Sequence, residues 1–382
     1  MKVNFNKDIL GSAISTALSC VSTKSTIASA EGILLDCTGE RAVIVGYDME
    51  KGIRIEIDAD IIEQGACVIN AASLNSIIKL MPAAEVSIEV GPTWRAKISS
   101  GSSEFEINGM DPREYPTLPD ISNRKGFNIK QKDLKNMITR TLFAVAQNDA
   151  RATFNGALFR INGKKITTVG CDSFRLAVRE KVCDLENTTD ADGELDMSFI
   201  VPGRTLGEVV KLLNEPDETV SINVSRKQVI FRFENRDIVF FSRLIEGDYI
   251  DYERIIPKNS AIFVEIDTAS FQGALERASV VTDEAAGKNQ SSARCFFHDN
   301  KVEITSVSAS GKVHDEIPTT QQGGEIEIGF NCRYLTDALR AAQCDTVRLS
   351  LSTPLISMII EPSDADENDR FTFLVVPFRM LK

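Results

Sequence analysis

The chain is short of the residues that build most catalytic and metal centres. Only two of its 382 residues are histidine, His298 and His314, which starves the usual general-base and zinc constellations. Eight cysteines occur, at 20, 37, 67, 171, 183, 295, 332 and 344, never closer than twelve positions. That spacing excludes CxxC and finger-like motifs, so the thiols read as small core residues. No apolar run approaches the ~18 residues that mark a transmembrane helix. The opening MKVNFNKDIL has neither the apolar stretch nor the cleavage site of a secretory signal, so a cytoplasmic protein is expected. A glycine-rich phosphate loop and a GxSxG elbow are also missing, and no cofactor is expected. The formal charge of −12 excludes a uniformly basic nucleic-acid binder but leaves room for one basic face.

What is present is ordinary globular material, 43% apolar and 26% charged, in a length that calls for two or three domains. An apolar quartet at i, i+3, i+4, i+7 recurs through it. It reads Leu10, Ala13, Ile14, Ala17; Leu74, Ile77, Ile78, Met81; Leu206, Val209, Val210, Leu213; Phe271, Ala274, Leu275, Ala278; and Leu335, Ala338, Leu339, Ala342. Between the second and third lies Leu134, Met137, Ile138, where Thr141 breaks the pattern and Leu142 and Val145 restore it. The spacing predicts six amphipathic helices at intervals of 60 to 72 residues, too regular for independent elements. A short strand-like stretch precedes each helix: Val3 to Phe5, Cys67 to Asn70, Phe127 to Ile129, Phe199 to Val201, Ile262 to Ile266 and Ile326 to Ile328. Alternating runs follow, such as Val86, Ile88, Val90 or Val347, Leu349, Leu351, as in antiparallel strands with one buried face. Proline- and acid-rich segments at 110–120 and 246–258 each follow two units and read as connectors. The expected fold is therefore α+β, with three similar domains at 1–125, 126–257 and 258–382. The acidic run 361–369 reads as a solvated hairpin tip.

Charge is segregated by element. Helix windows at 7–21, 73–82, 130–146, 204–214, 268–281 and 333–343 hold eleven Lys and Arg against five Asp and Glu, leaving −18 for the rest of the chain. With the apolar stripes on the sheets, Lys79, Lys130, Lys132, Lys135, Arg140, Arg204, Lys211, Arg277, Arg333 and Arg340 face solvent on the helical side. A polyanion held there would be gripped by its phosphates, without base readout. The plainer alternative is that these are ordinary solvated helix residues.

Several segments resemble one family, the bacterial DNA polymerase III beta sliding clamps. FNGALFRINGKKITTVGCDSFRLAV (154–178) is similar to the second-domain signature and its T-D-G-H-R-L-A-like run, and FIVPGRTLGEVVKLL (199–213) to the strand and helix after it. SRLIEGDYIDYERIIP (242–257) resembles the second connector, EIEIGFNCRYLTDAL (325–339) the third-domain pattern, and LVVPFRM (374–380) the family's ending. The resemblance runs from Met1 to Met380. It implies a non-catalytic ring of two protomers joined head to tail, sheets outside and helices lining a hole around double-stranded DNA. Partners would be DNA, a second copy, the replicative polymerase alpha subunit, the clamp loader, and other polymerases and repair proteins carrying QLxLF-type peptides.

By motif, the resemblance assigns a peptide pocket to Phe154, Cys171, Ser173, Phe174, Arg175, Leu176, Ile250, Arg254, Ile255, Asn331, Tyr334, Leu355, Ser357, Leu374, Val376, Pro377, Phe378, Arg379 and Met380. It adds Lys24, Asn148 and Arg151 to the DNA side, and makes Phe105 and Ile107 meet Val280 and Val281 at the protomer joint. Three departures bear on the pocket: Phe174 stands where the family commonly has His, Ile250 where it commonly has Pro, and Leu381 and Lys382 extend the tail. The early T-L-P-I-L-like segment reads TIASA (26–30), without its proline. From the residues alone a second function class stays open, a carboxylate hydrolase using a pair such as Asp172 and Asp251.

Overall fold

The structure is a computed structural model that describes every residue except 124, 190–192, 284–291, 309, 310, 365 and 379–382, and the backbone alone of 282 and 283. All six predicted helices form: α1 (Lys7–Ala17), α2 (Ala71–Leu80), α3 (Gln131–Leu142), α4 (Gly203–Leu212), α5 (Thr268–Asp283) and α6 (Cys332–Ala342). So do the six strands before them. The switch from strand to helix has a local cause in four of the six. Asn6, Asn70, Asp267 and Asn331 end their strands, and each side chain accepts a hydrogen bond from a backbone N–H of the first turn at 2.8–3.2 Å. The apolar quartets are buried, apart from Val210, which is half-buried while Leu212 takes its place.

One unexpected position is Thr141. It does not interrupt the buried face of α3: its hydroxyl donates to the Met137 carbonyl at 3.0 Å, so a polar side chain is accommodated inside the stripe. The carbonyl of Thr141 then lies so close to Gly170 that a Cβ there would meet it at 2.5 Å. Gly46 stands in the same relation to Ala17 at the end of α1, at 2.3 Å. Glycine at both places lets a helix end rest directly on the strand behind it.

Contacts divide the chain into two compact units. The first comprises Met1–Gln131, Leu185–Asp192 and Asp217–Leu244. It is one antiparallel sheet of fourteen strands with α1 and α2 packed on each other, and strand Lys51–Ile57 pairs with Ile238–Arg243 to make it continuous. The second comprises Lys132–Asp184, Gly193–Pro216 and Ile245–Lys382. It holds a nine-stranded antiparallel sheet, in which Arg175–Val182 pairs with Asp369–Val375, and a four-stranded one from Gly311–Pro318 to Ile326–Asn331. Strand pairing thus joins segments that the sequence reading assigns to different domains, so backbone hydrogen bonding runs across those boundaries.

Neither connector is a loose linker. Tyr115 is buried and its hydroxyl donates to Val45 O at 3.2 Å within the first unit. Tyr249 donates to Val169 O at 3.2 Å and Tyr252 is buried in the second. Burial pushes the Tyr115 and Tyr249 hydroxyls well above their usual range. Seven of the eight cysteines are buried and Cys344 is half-buried. Desolvation raises several of the thiols, Cys37 and Cys183 to about 12.

Candidate functional site

Within the second unit, the hairpin between Lys165–Cys171 and Arg175–Val182 turns in three residues, and Ser173 takes a left-handed φ of 79°. The Asp172 carboxylate accepts from the backbone N–H of Phe174 and of Arg175, both at 3.0 Å, and pairs with the Arg175 guanidinium at 2.9 Å. Asp172 is therefore a turn-holding residue. Asp251 pairs with Arg254 at 2.8 Å, so each carboxylate of the candidate hydrolase pair has an arginine partner. Among the described residues no group of three or more His, Cys, Asp or Glu could hold a metal ion.

Arg175 reaches from this turn to α6, where its other nitrogen meets Asp337 at 2.7 Å. Its guanidinium lies 5.5 Å from the Phe143 ring and 4.8 Å from the Tyr334 ring. Phe174 stacks on Tyr334, with centroids 5.6 Å apart and planes 25° apart. Burial raises the Tyr334 hydroxyl from its ordinary value. Phe154, Cys171, Leu176 and Leu374 form the apolar floor with Tyr252, and Ile250 packs half-buried against it. Arg151 lies over the Phe154 ring at 3.8 Å and donates to the Ser173 hydroxyl. Its bond to Asp149 draws that carboxyl down to about 2.

In the same unit, apolar side chains are left in solvent. Phe174 is 53% exposed and Leu355 70%, and Ile255, Ile356, Val376 and Phe378 are also exposed. The tail is tied to the same place: Val376 N–H donates to Phe174 O at 2.8 Å and Phe378 N–H to Gly329 O at 2.6 Å. Pro377 and Ser357 are half-buried, and the Asn331 side chain caps α6 at Arg333. Arg254 stands apart as a side chain 87% exposed, whereas Arg379 and Met380 lie outside the described residues, as do Leu381 and Lys382. Sequence reasoning passed over Phe143, Asp337 and Ile356. Asp337 was within reach, since it lies three residues after Tyr334 on the same face of α6.

The basic residues separate into classes. In the first unit Lys24, Lys79 and Lys130 are exposed, as are Lys132, Arg204 and Arg333 in the second. Lys135 is spent on the C-terminal end of α4, donating to Leu213 O at 2.9 Å. Lys211 pairs with Glu208 at 2.9 Å, Arg277 with Asp315 at 2.6 Å and Arg340 with Glu276 at 3.2 Å. Arg204 donates to the Asn148 side chain at 2.8 Å. Arg140 departs from the expectation that it faces solvent: it is half-buried, its guanidinium lies 5.2 Å from the Phe371 ring, and its Nε has no acceptor. Burial lowers its pKa. The cause is its position on the sheet side of α3, where a long stem reaches apolar surface.

Strand Ser103–Met110 pairs with Arg95–Ser100 along its length, but with Gly65–Asn70 only through Gly109 and Met110. Its outer edge at 103–108 is therefore open. Phe105 and Ile107 oppose the buried Ile98 and Ala96, and Phe105 is 39% exposed, with no strand among the described residues paired to that edge. In the second unit Val280 is 67% exposed on α5 and Val281 half-buried beside it, while Gly311–Pro318 forms a sheet edge near the exposed Val307.

Six strand–helix units backed by antiparallel sheet define the DNA-clamp class of fold. The match to known proteins runs the length of the chain: residues 1–119, 128–251 and 253–379 match in turn the N-terminal, central and C-terminal domains of the DNA polymerase III beta subunit. The beta sliding clamp of Staphylococcus epidermidis is 31% identical over 389 residues, covering 99% of both chains. The DNA polymerase sliding clamp of Bacillus subtilis superimposes with a TM-score of 0.91 at 28% identity, and the DNA polymerase III beta subunit of Eubacterium rectale with 0.88 at 27%, each covering 100% of both chains. The chain belongs to the DNA polymerase III beta subunit family.

Proposed function

We propose that this chain is a processivity clamp that closes as a head-to-tail homodimer around duplex DNA and tethers partners to it. Its three clamp domains are 1–125, 126–257 and 258–382. It carries out no chemistry of its own and needs no cofactor; it works in the cytoplasm, and ATP-driven loading belongs to a separate loader. The observation that carries the reading is the full-length family match on an acidic chain whose helices, holding few acidic residues, carry a positive net charge. A topological link needs only weak phosphate contacts, since the ring must slide, and modest helix charge suits that.

The joint pairs the open edge at 103–108 with the start of the third domain, Phe105 and Ile107 meeting Val280 and Val281. Removing an unpaired edge gives the contact a physical motive. The exposed apolar residues around Phe174 and Tyr334 take QLxLF-type peptides of the polymerase alpha subunit, the clamp loader, and other polymerases and repair proteins, with Arg175 and Asn331 near the peptide backbone.

The test is retention on a nicked DNA circle. The protein, loaded on the circle, stays bound through gel filtration and is released once the circle is cut linear. Equal retention on both forms would show ordinary binding and end the proposal.

A further inference from the structure

The backbone frame of the 172–174 turn is built a second time, in the first unit. There strands Ala42–Tyr47 and Lys51–Ile57 meet in a turn where Met49 takes a left-handed φ of 77°, against 79° for Ser173. The Asp48 carboxylate accepts from the backbone N–H of Glu50 at 3.0 Å and of Lys51 at 2.8 Å, and pairs with the Lys51 ammonium at 2.6 Å. Asp172 does the same for Phe174 and Arg175. Arg243 N–H donates to Glu50 O at 2.9 Å, as Val376 N–H does to Phe174 O. Each connector is pinned by a tyrosine, Tyr115 to Val45 O and Tyr249 to Val169 O. The side chains on the two frames differ: Glu50 stands in place of Phe174, and Arg243 in place of Val376.

A cavity of about 160 Å³ lies beside the first-unit turn, lined by Tyr47, Glu50, Thr117, Gln228, Phe241 and Arg243 among others. Tyr47 and Phe241 are buried with their rings 5.6 Å apart, so little apolar surface is offered to a ligand. Glu50, Thr117 and Arg243 are exposed. Asp48 and Lys51 match each other, whereas Glu50 and Arg243 have no ion-pair partner among the described residues, although a backbone bond makes them neighbours. The rim is therefore dipolar, one carboxylate and one guanidinium on a backbone already fixed. We infer that this cavity is a second docking site, for an extended partner segment that carries one basic and one acidic side chain two residues apart. Alternation along an extended chain puts two such side chains on one face, about 7 Å apart. The basic one meets Glu50 and the acidic one Arg243. An aliphatic segment would cover both charges without pairing them, so this site rejects the QLxLF class. The inference goes beyond the docking reading above, and no peptide at the 172–174 turn is needed for it.

A peptide strand has a direction, and that gives the test. Full-length protein is titrated, by ligand-observed NMR, with end-blocked GKAEG, the reversed order GEAKG, and neutral GQAQG. Two rim pairs formed in one order and opposed in the other give about a three- to tenfold preference between the charged peptides, with GQAQG between them. Glu50→Arg combined with Arg243→Glu exchanges the rim charges at constant net charge, on side chains that are exposed, and the preferred order reverses. Equal binding of the two orders, binding of neither, or a preference that survives the exchange overturns the inference. A QLxLF peptide titrated in parallel reports on the 172–174 turn alone: its failure to bind removes the docking reading and leaves this inference standing.

Discussion

Arg179 is the largest side chain held almost entirely out of water, at 1% exposure. Its donors are distributed over three segments: Asn136 on α3 at 2.9 Å, the carbonyls of Glu180 and Arg370 at 3.0 Å, and the Asp369 carboxylate. Lys181 joins Asp369 to Asp133 at 3.1 and 3.0 Å, so α3 and both strands at this seam share one ionic network. Asp369 closes the acidic run that the sequence reading took for a solvated hairpin tip. Most of that run is a turn, but its last residue is the counter-ion of a buried arginine, which no local pattern signals because the partner lies 190 residues away. Arg179→Ala removes the guanidinium's bonds to the two carbonyls and to Asn136. Lys181 still holds Asp369, so the expected loss is about 2–3 kcal/mol of unfolding free energy for the second unit, read by urea denaturation. A loss under half a kcal/mol would mark the network as dispensable.

His298 gives a residue-scale prediction about pH. Its Nδ1 lies 3.1 Å from Asp299 and its Nε2 3.0 Å from Glu303, and its ring stacks on Phe296 at 4.1 Å. Carboxylates only accept, so both contacts are satisfied together when the imidazole is protonated. The hydrogen bond to Asp299, then that to Glu303, raises its pKa above 6.5 against desolvation and the nearby Lys301 charge. The folded state therefore holds this proton more tightly than the unfolded chain. The stabilisation is full below about pH 6.5 and is lost as pH rises through the folded value. An imidazole titration by NMR should place His298 above the ordinary histidine value of 6.5. His298→Gln should lower the melting temperature at pH 5.5 more than at pH 9, and equal shifts at both would refute the assignment.

At the scale of elements the sequence was informative where the physics is local. Helix periodicity and the strand-like stretch before it lie within a few residues of each other, and all six strand–helix units could be read from them. Thr141 was misjudged because its polarity is satisfied by the helix's own carbonyl, a bond invisible to an apolar pattern. The connectors were read by composition as spacers, whereas Tyr115, Tyr249 and Tyr252 pin them to distant strands. Of the residues named by motif, Phe174, Arg175, Tyr334 and Val376 meet at the 172–174 turn, but the Arg175–Asp337 link could only come from the fold. Strand 103–108 supports a prediction at this scale. Under the proposed head-to-tail joint, Phe105→Asp places a charge on an edge that has to pair and be covered. The mass by light scattering should fall from two chains to one at micromolar concentration, with an unchanged circular dichroism spectrum. A dimer that persists would move the joint away from this edge.

Across the whole molecule, helix charge is positive against a net −12, but the side chains that carry it are not equivalent. Arg277, Lys211 and Arg340 already sit against carboxylates, whereas Lys79, Lys130 and Arg333 have no carboxylate partner among the described residues. A cation held by its own carboxylate releases few counterions on meeting a phosphate, since its charge is already matched. The two groups should therefore differ in salt dependence even though removing either subtracts the same formal charge. Replacing Lys79, Lys130 and Arg333 together by alanine should make the dependence of DNA affinity on salt concentration shallower by about one logarithmic unit per lost phosphate contact. The corresponding change of Lys211, Arg277 and Arg340 exposes three carboxylates, so it should weaken binding through repulsion while leaving the slope nearly as steep. Measured on a closed circle between low and moderate salt, slopes as steep as the unaltered protein's in both triple variants would mean that neither group touches phosphate, and that retention rests on topology alone.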